Sequence, residues 1–173
     1  MASICLDQSI QGSILDIGGG GEGVIGRIYQ AQVTAIDNRA EELEEAPDGF
    51  TKRVMDATSL EFDACSFDNA TAFYTFMYME KEDHPKALCE IWRVLKPGGS
   101  LFIWDAVIEH AQPFVVELDI DANGTNIHTG YGVVKEDGAQ DAHYFVELCQ
   151  KVGFRLIRTQ LAQDQFFLLS FKK

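Results

Sequence analysis

The chain has 173 residues, of which 46% are hydrophobic and 24% charged. That is room for one domain with a real core and a composition far from that of disordered chains. Fourteen basic against 27 acidic side chains leave a formal net charge of −13, which works against nucleic acid and anionic membrane surfaces as partners. The four cysteines at 5, 65, 89 and 149 form no CxxC pair, so neither a zinc knuckle nor a disulfide framework is expected. The first residues carry no basic flank and long apolar run, and no stretch has the length of a membrane span. A single cytoplasmic domain spanning 1–173 is the expectation.

Short β-rich runs at residues 13–17, 33–37, 53–55, 69–74 and 100–104 alternate with helical segments at 23–30, 39–46 and 85–96. In the last of these Leu88, Ile91, Trp92 and Leu95 share one face, Asp83 and Pro85 mark a start, and Lys96-Pro97-Gly98-Gly99 marks a stop. Strand, helix and strand in repetition predict parallel strands joined by right-handed crossovers, hence a doubly wound α/β domain. The second half differs. Phe114, Val116, Leu118 and Ile120 alternate with polar or outward positions, and Asn123-Gly124 follows, which predicts a long β-hairpin over 114–134 within an insertion at about 106–138. Two readings of the hairpin stay open: a lid or partner-binding arm, through which a second copy could pair as a homodimer, and an extension of the domain's own sheet. A helix over 141–152 and strands over 155–161 and 165–171 complete the chain. The connection between those strands is too short for a parallel pair, so the final strand is antiparallel.

The segment Leu15-Asp16-Ile17-Gly18-Gly19-Gly20-Gly21-Glu22-Gly23 turns from the first of these strands into a helix. Glycines there let a ligand approach the backbone, although a tight turn with close helix–strand packing needs them too. Gly18, Gly20 and Gly23 also satisfy a dinucleotide fingerprint, with Asp37 at the distance of a ribose partner. Charge separates the ligands. A pyrophosphate would meet Asp16 and Glu22, whereas a ligand with an ammonium and a sulfonium is attracted by them.

These residues, with Ala35-Ile36-Asp37, Met55-Asp56-Ala57, Phe67-Asp68 and the run from Arg93 to Leu101, resemble the class I S-adenosylmethionine-dependent methyltransferases, in their small-molecule branch. The resemblance covers roughly residues 14–105. It implies a Rossmann-like, mostly parallel sheet with an antiparallel final strand, and S-adenosyl-L-methionine as cofactor. Two departures stand out: the loop holds one glycine more than the usual form, and the segment ahead of the first strand is short for the helices the family places there. The resemblance implies that Asp16, Gly18, Gly19, Gly20 and Gly21 surround the methionine part. Asp37 would take the ribose hydroxyls, Asp56 and the Ala57 N–H the adenine, and Asn38 would also belong to the cofactor site. Phe73 and Tyr74 would line the sulfonium side. For Asp37 and Asp56 the alternative is a helix cap, and for the two aromatics ordinary core packing.

Methyl transfer from a sulfonium depends chiefly on alignment, so no catalytic dyad is required and none is apparent. Were a base needed, Tyr74, Tyr78, Asp105, Glu109 and His110 follow strand ends, with Tyr74 and His110 the candidates singled out. The expected function is methyl transfer to a neutral or cationic small molecule. The alternatives are a nicotinamide-dependent oxidoreductase and a non-catalytic S-adenosylmethionine-binding protein. No metal site is expected. Asp119, Asp121, Asn123 and Gly124 imitate the start of a calcium loop, but Gly130 stands where a bidentate glutamate is needed.

Overall fold

A computed structural model describes residues 2–6, 9–109, 113–122, 125–134, 138–162 and 166–173. The strands are β1 (Ala2–Cys5), β2 (Ile14–Ile17), β3 (Val33–Asp37), β4 (Thr51–Val54), β5 (Phe67–Phe73), β6 (Leu95–Ala106), β7 (Phe114–Ala122), β8 (Thr125–Val133), β9 (Arg155–Ala162) and β10 (Phe166–Lys172). The helices are α1 (Val24–Tyr29), α2 (Ala40–Glu45), α3 (His84–Val94) and α4 (Ala142–Val152), with a 3-10 turn at Phe76–Tyr78. No helix among the described residues is long and apolar enough to cross a membrane.

Among the described residues, seven strands form the main sheet in the order β4-β3-β2-β5-β6-β10-β9. β4, β3, β2, β5 and β6 run parallel, and β10 lies antiparallel to both β6 and β9. The Rossmann-like architecture with an antiparallel final strand is therefore present. Every residue of β2 is buried, as a strand covered on both faces must be. The chain leaves β2 toward β3 on one side and later returns to β5 on the other, so the switch point of the sheet lies between β2 and β5. Open α/β sheets bind ligands at the carboxyl ends of the strands flanking that point.

The two faces are covered differently. On one, Leu88 and Ile91 of α3 and Phe145 and Cys149 of α4 pack on Leu15, Ala72, Ile103 and Leu169. On the other, Val24 and Ile25 of α1 join Val116, Leu118, Ile120 and Ile127 over Phe73, Trp104 and Leu168. Those four hairpin residues belong to a separate three-stranded sheet, β1-β7-β8. The hairpin thus does not extend the main sheet, which overturns that reading; it lies across it as a second layer. Its alternation is as expected, with Val116, Leu118 and Ile120 buried and Val115 and Glu117 exposed. The Asn123-Gly124 turn lies outside the described residues. β1, which no sequence pattern announces, pairs in parallel with β7, Ala2 opposite Leu118.

Two boundaries differ from expectation. α3 stops at Val94, with Leu95 already extended at ψ 138° and paired with Phe67 of β5; Pro97 disfavours helical backbone at Lys96, so the helix cannot resume there. The edge strand β4 begins at Thr51, two residues earlier than the run of side chains suggested, and ends at Val54, one residue earlier. Asp119 bonds His128 at 2.9 Å on the partner strand, and no group of three or more metal-binding side chains occurs among the described residues.

Candidate functional site

The carboxyl ends of β2, β3, β4 and β5 open into one cavity of about 1110 Å³. Small-molecule sites run to roughly 300–1,000 Å³, so this one has room for two reactants. Gly18, Gly20 and Gly21 form its floor, Asp37, Asn38, Asp56 and Ala57 one end, and Phe73, Tyr74 and Tyr78 the other; Thr129, Gly130 and Tyr131 of β8 roof it. Among the described residues, seven carboxylate side chains line it (Glu22, Asp37, Glu42, Glu45, Asp56, Glu80 and Asp83) against two arginines, Arg27 and Arg39.

The glycine loop is shaped as much by the protein as by the cavity. Gly18 has φ +67°, and a Cβ there would come within 2.5 Å of Thr75 Cγ2; the Thr75 hydroxyl donates to the Ile17 carbonyl at 2.7 Å, tying the end of β5 to that of β2. A Cβ on Gly19 would lie 2.5 Å from Asp16 Oδ2 and 2.8 Å from Ala35 Cβ. Gly19 N–H donates to the Ile36 carbonyl at 3.0 Å and Gly21 N–H to that of Glu42 at 2.7 Å. Close packing therefore accounts for part of the glycine run, and α1, only six residues long, adds little helix dipole.

Asp16 and Gly19 are not among the residues lining the cavity. Asp16 is 2% exposed, accepts a hydrogen bond from the Thr71 hydroxyl at 2.7 Å, and is pushed up to about 7 by burial. A carboxyl that is partly protonated near neutrality is not the fixed negative charge that the sequence suggests. The acidic character of the rim rests instead on Glu22 and the other carboxylates named above.

Asp37 and Asp56 stand at the cavity's polar end, and neither caps a helix. Asp37 Oδ1 accepts from the Arg39 N–H at 3.0 Å, and Asp56 Oδ1 accepts from the N–H and hydroxyl of Thr58, both at 2.7 Å. Those two bonds hold the Asp56 carboxyl below its ordinary range. In each residue one oxygen fixes a local turn, and the other makes no hydrogen bond with a described residue.

At the opposite end Tyr74 stacks on Tyr131, centroids 4.7 Å apart and planes at 11°, and Phe73 meets both edge-on. The aromatics thus belong to core and cavity wall at once. Burial raises the pKa of Tyr74, Tyr78 and Tyr131, so each phenol stays protonated and is a poor base. Asp105, also proposed as a base, does not line the cavity. It is fully buried and is pushed up to about 7 by desolvation. Its oxygens accept from Phe76 N–H at 2.9 Å, Ala106 N–H at 2.8 Å and Gln140 Nε2 at 2.8 Å, which makes it a structural clamp on the 3-10 turn. Glu109 is exposed and also absent from the lining. His110 lies outside the described residues.

Thr129, Gly130 and Tyr131 were not expected in the site. Their signal was available: Tyr131 lies opposite Val116, and Thr129 opposite Leu118, so carrying the inward alternation of β7 across the turn places both on the covered face.

The protein-family model described as a methyltransferase domain matches residues 15–103, just over half of the chain. Over 156 residues the chain is 29% identical to an O-methyltransferase of Penicillium expansum, covering 83% of this chain and 52% of that protein. The chain thus spans about half the length of that curated relative. Among solved structures, an S-adenosylmethionine-dependent methyltransferase from Methanosarcina mazei superimposes with a TM-score of 0.68 at 19% identity, covering 97% of this chain and 99% of the other. The 1,6-didemethyltoxoflavin-N1-methyltransferase of Burkholderia thailandensis, solved with bound 1,6-didemethyltoxoflavin and S-adenosylhomocysteine, gives a TM-score of 0.63 at 16% identity over 94% of this chain and 72% of the other. The chain belongs to the class I S-adenosylmethionine-dependent methyltransferase family.

Proposed function

We propose that this protein transfers a methyl group from S-adenosyl-L-methionine to a small neutral or cationic molecule. The observation that carries the reading is the charge of the cavity: seven carboxylates and two arginines at the carboxyl ends of the strands. Such a rim favours a cationic ligand and opposes a diphosphate. Family membership supports the same reading, and nothing favours the nicotinamide alternative.

The residues fit the cofactor. Asp37, with Asn38, would hold the ribose hydroxyls through the oxygen that the local turn leaves unused. Asp56 and the Ala57 N–H would take the adenine, and Gly18, Gly20 and Gly21 the methionine part. When bound, the cofactor supplies an electrophilic methyl group on a sulfonium. The chain's own contribution is placement: rigid strand ends fix one reactant, and the aromatic end under β8 leaves room for the other. The cavity's tyrosines, held protonated, orient rather than deprotonate. A homodimer through 114–134 would use the edge of β8, since β1 already occupies the other side of β7.

Incubation with methyl-labelled S-adenosylmethionine and a fractionated extract of small metabolites tests the reading. Label on a neutral or cationic acceptor is expected. Tight cofactor binding with no labelled acceptor would instead indicate a non-catalytic binding protein.

A further inference from the structure

Three observations meet at Tyr74. Its backbone is left-handed, φ +52°, a conformation that a bulky residue adopts only when its surroundings impose it. The Trp104 carbonyl, accepting its N–H at 2.8 Å, and the stacked ring of Tyr131 supply that constraint. Its side chain is almost wholly buried, 1% exposed, and lines the cavity. Among the described residues, its hydroxyl is the buried side-chain polar atom left without a hydrogen-bond partner.

A buried hydroxyl without a partner is unfavourable, and native proteins rarely keep one unless something else satisfies it. Burial keeps this phenol protonated, so it has a proton to donate and no acceptor for it. Asp37 and Asp56 follow β3 and β4, on the other side of β2 from Tyr74; the neighbours here are the rings of Phe73 and Tyr131 and the charge of the buried Asp105, whose oxygens already accept from Phe76, Ala106 and Gln140. A cation without a lone pair could donate to the hydroxyl oxygen but would leave its proton without an acceptor, and an anion would face the acidic rim.

We propose that this aromatic end is the subsite of the methyl acceptor, that it takes a flat uncharged ring bearing an oxygen or nitrogen lone pair, and that the Tyr74 hydroxyl donates a hydrogen bond to that lone pair and so fixes the ring's orientation. The inference rests on reading the cavity as a methyltransferase site and narrows the acceptor class within it.

The test compares quinoline with naphthalene, rings of the same shape that differ in one lone pair, on wild type and Tyr74→Phe saturated with S-adenosylhomocysteine. Quinoline is expected to bind wild type about tenfold more tightly than the variant. Naphthalene is expected to bind both alike, and S-adenosylhomocysteine affinity and melting temperature to stay unchanged or, for the latter, to rise. Equal quinoline binding by the two proteins, or none by wild type, overturns the proposal. So does a loss of S-adenosylhomocysteine affinity in Tyr74→Phe, which would assign the hydroxyl to the cofactor, or a clear fall in its melting temperature, which would assign it to the fold. If wild type fails to bind S-adenosylhomocysteine at all, it is the methyltransferase reading that has failed.

Discussion

The Tyr78 hydroxyl accepts a hydrogen bond from the Gly132 N–H at 3.1 Å, and this bond fastens the roof of the cavity to its wall. Tyr78 sits on the 3-10 turn after β5, and Gly132 on β8, one residue beyond Tyr131. The turn is itself held from two sides, its Phe76 N–H by Asp105 and its Phe76 carbonyl by the His84 ring at 2.9 Å. Tyr78→Phe removes the fastening without removing the ring. The expected result is faster amide hydrogen exchange in β8, local to residues 129–133, with global stability lowered by only about 0.5–1.5 kcal/mol. Unchanged exchange at those amides would show that side-chain packing alone holds the roof.

Asp37→Ala should weaken S-adenosylmethionine binding by ~1–3 kcal/mol, the scale of hydrogen bonds to a charged group. Asp37→Asn, which keeps an acceptor but not the charge, should fall between. Calorimetry on the folded variants checks this, and an unchanged affinity would remove Asp37 from the site.

Asp16 and Asp105 predict an unusual pH dependence. Each holds its proton in the folded protein up to about 7 but releases it near 3.8 when unfolded. Between those values the folded state binds more protons, so the contribution of both groups to stability falls as pH rises from about 4 to 7. Asp68 acts in the opposite sense and lower down. Lys96 and Ser13 hold its carboxyl at about 2, so its contribution is present above 3.8 and lost as pH falls toward 2. Chemical denaturation at pH 5 and pH 8 should therefore find the protein more stable at pH 5. Asp16→Asn, which preserves the bond from Thr71, should shrink that difference.

Gly19→Ala should lower stability by about 1–3 kcal/mol, because the added methyl group meets Asp16 and Ala35 at overlapping distances. Thermal melting measures it. A neutral result would mean that the loop shifts freely, and the packing account of the glycine run would then give way to a ligand-binding one.

Much of the fold was legible because its signals are local. The periodicity of α3, the β-rich runs before and after it, and the alternation in β7 all follow from which side chains face the core. The separate sheet was not legible: β1 is four residues long and its partner lies on the far side of the chain, Cys5 opposite Asp121. Of the site, Asp37 could be read from its spacing to the glycine loop, and Asp56 and Tyr74 from the family resemblance. The depth of Asp16 could not, since its burial depends on Gly19 and Thr71 closing over it. Nor could the roof, which exists only because the hairpin folds back over the strands.

Calorimetric titration of the intact protein with S-adenosylmethionine and, separately, with a reduced nicotinamide dinucleotide tests the acidic cavity most directly. Saturable binding of the sulfonium compound, weakening as salt is raised, with no heat from the dinucleotide, is the expected result. Binding of the dinucleotide in preference to S-adenosylmethionine would contradict it.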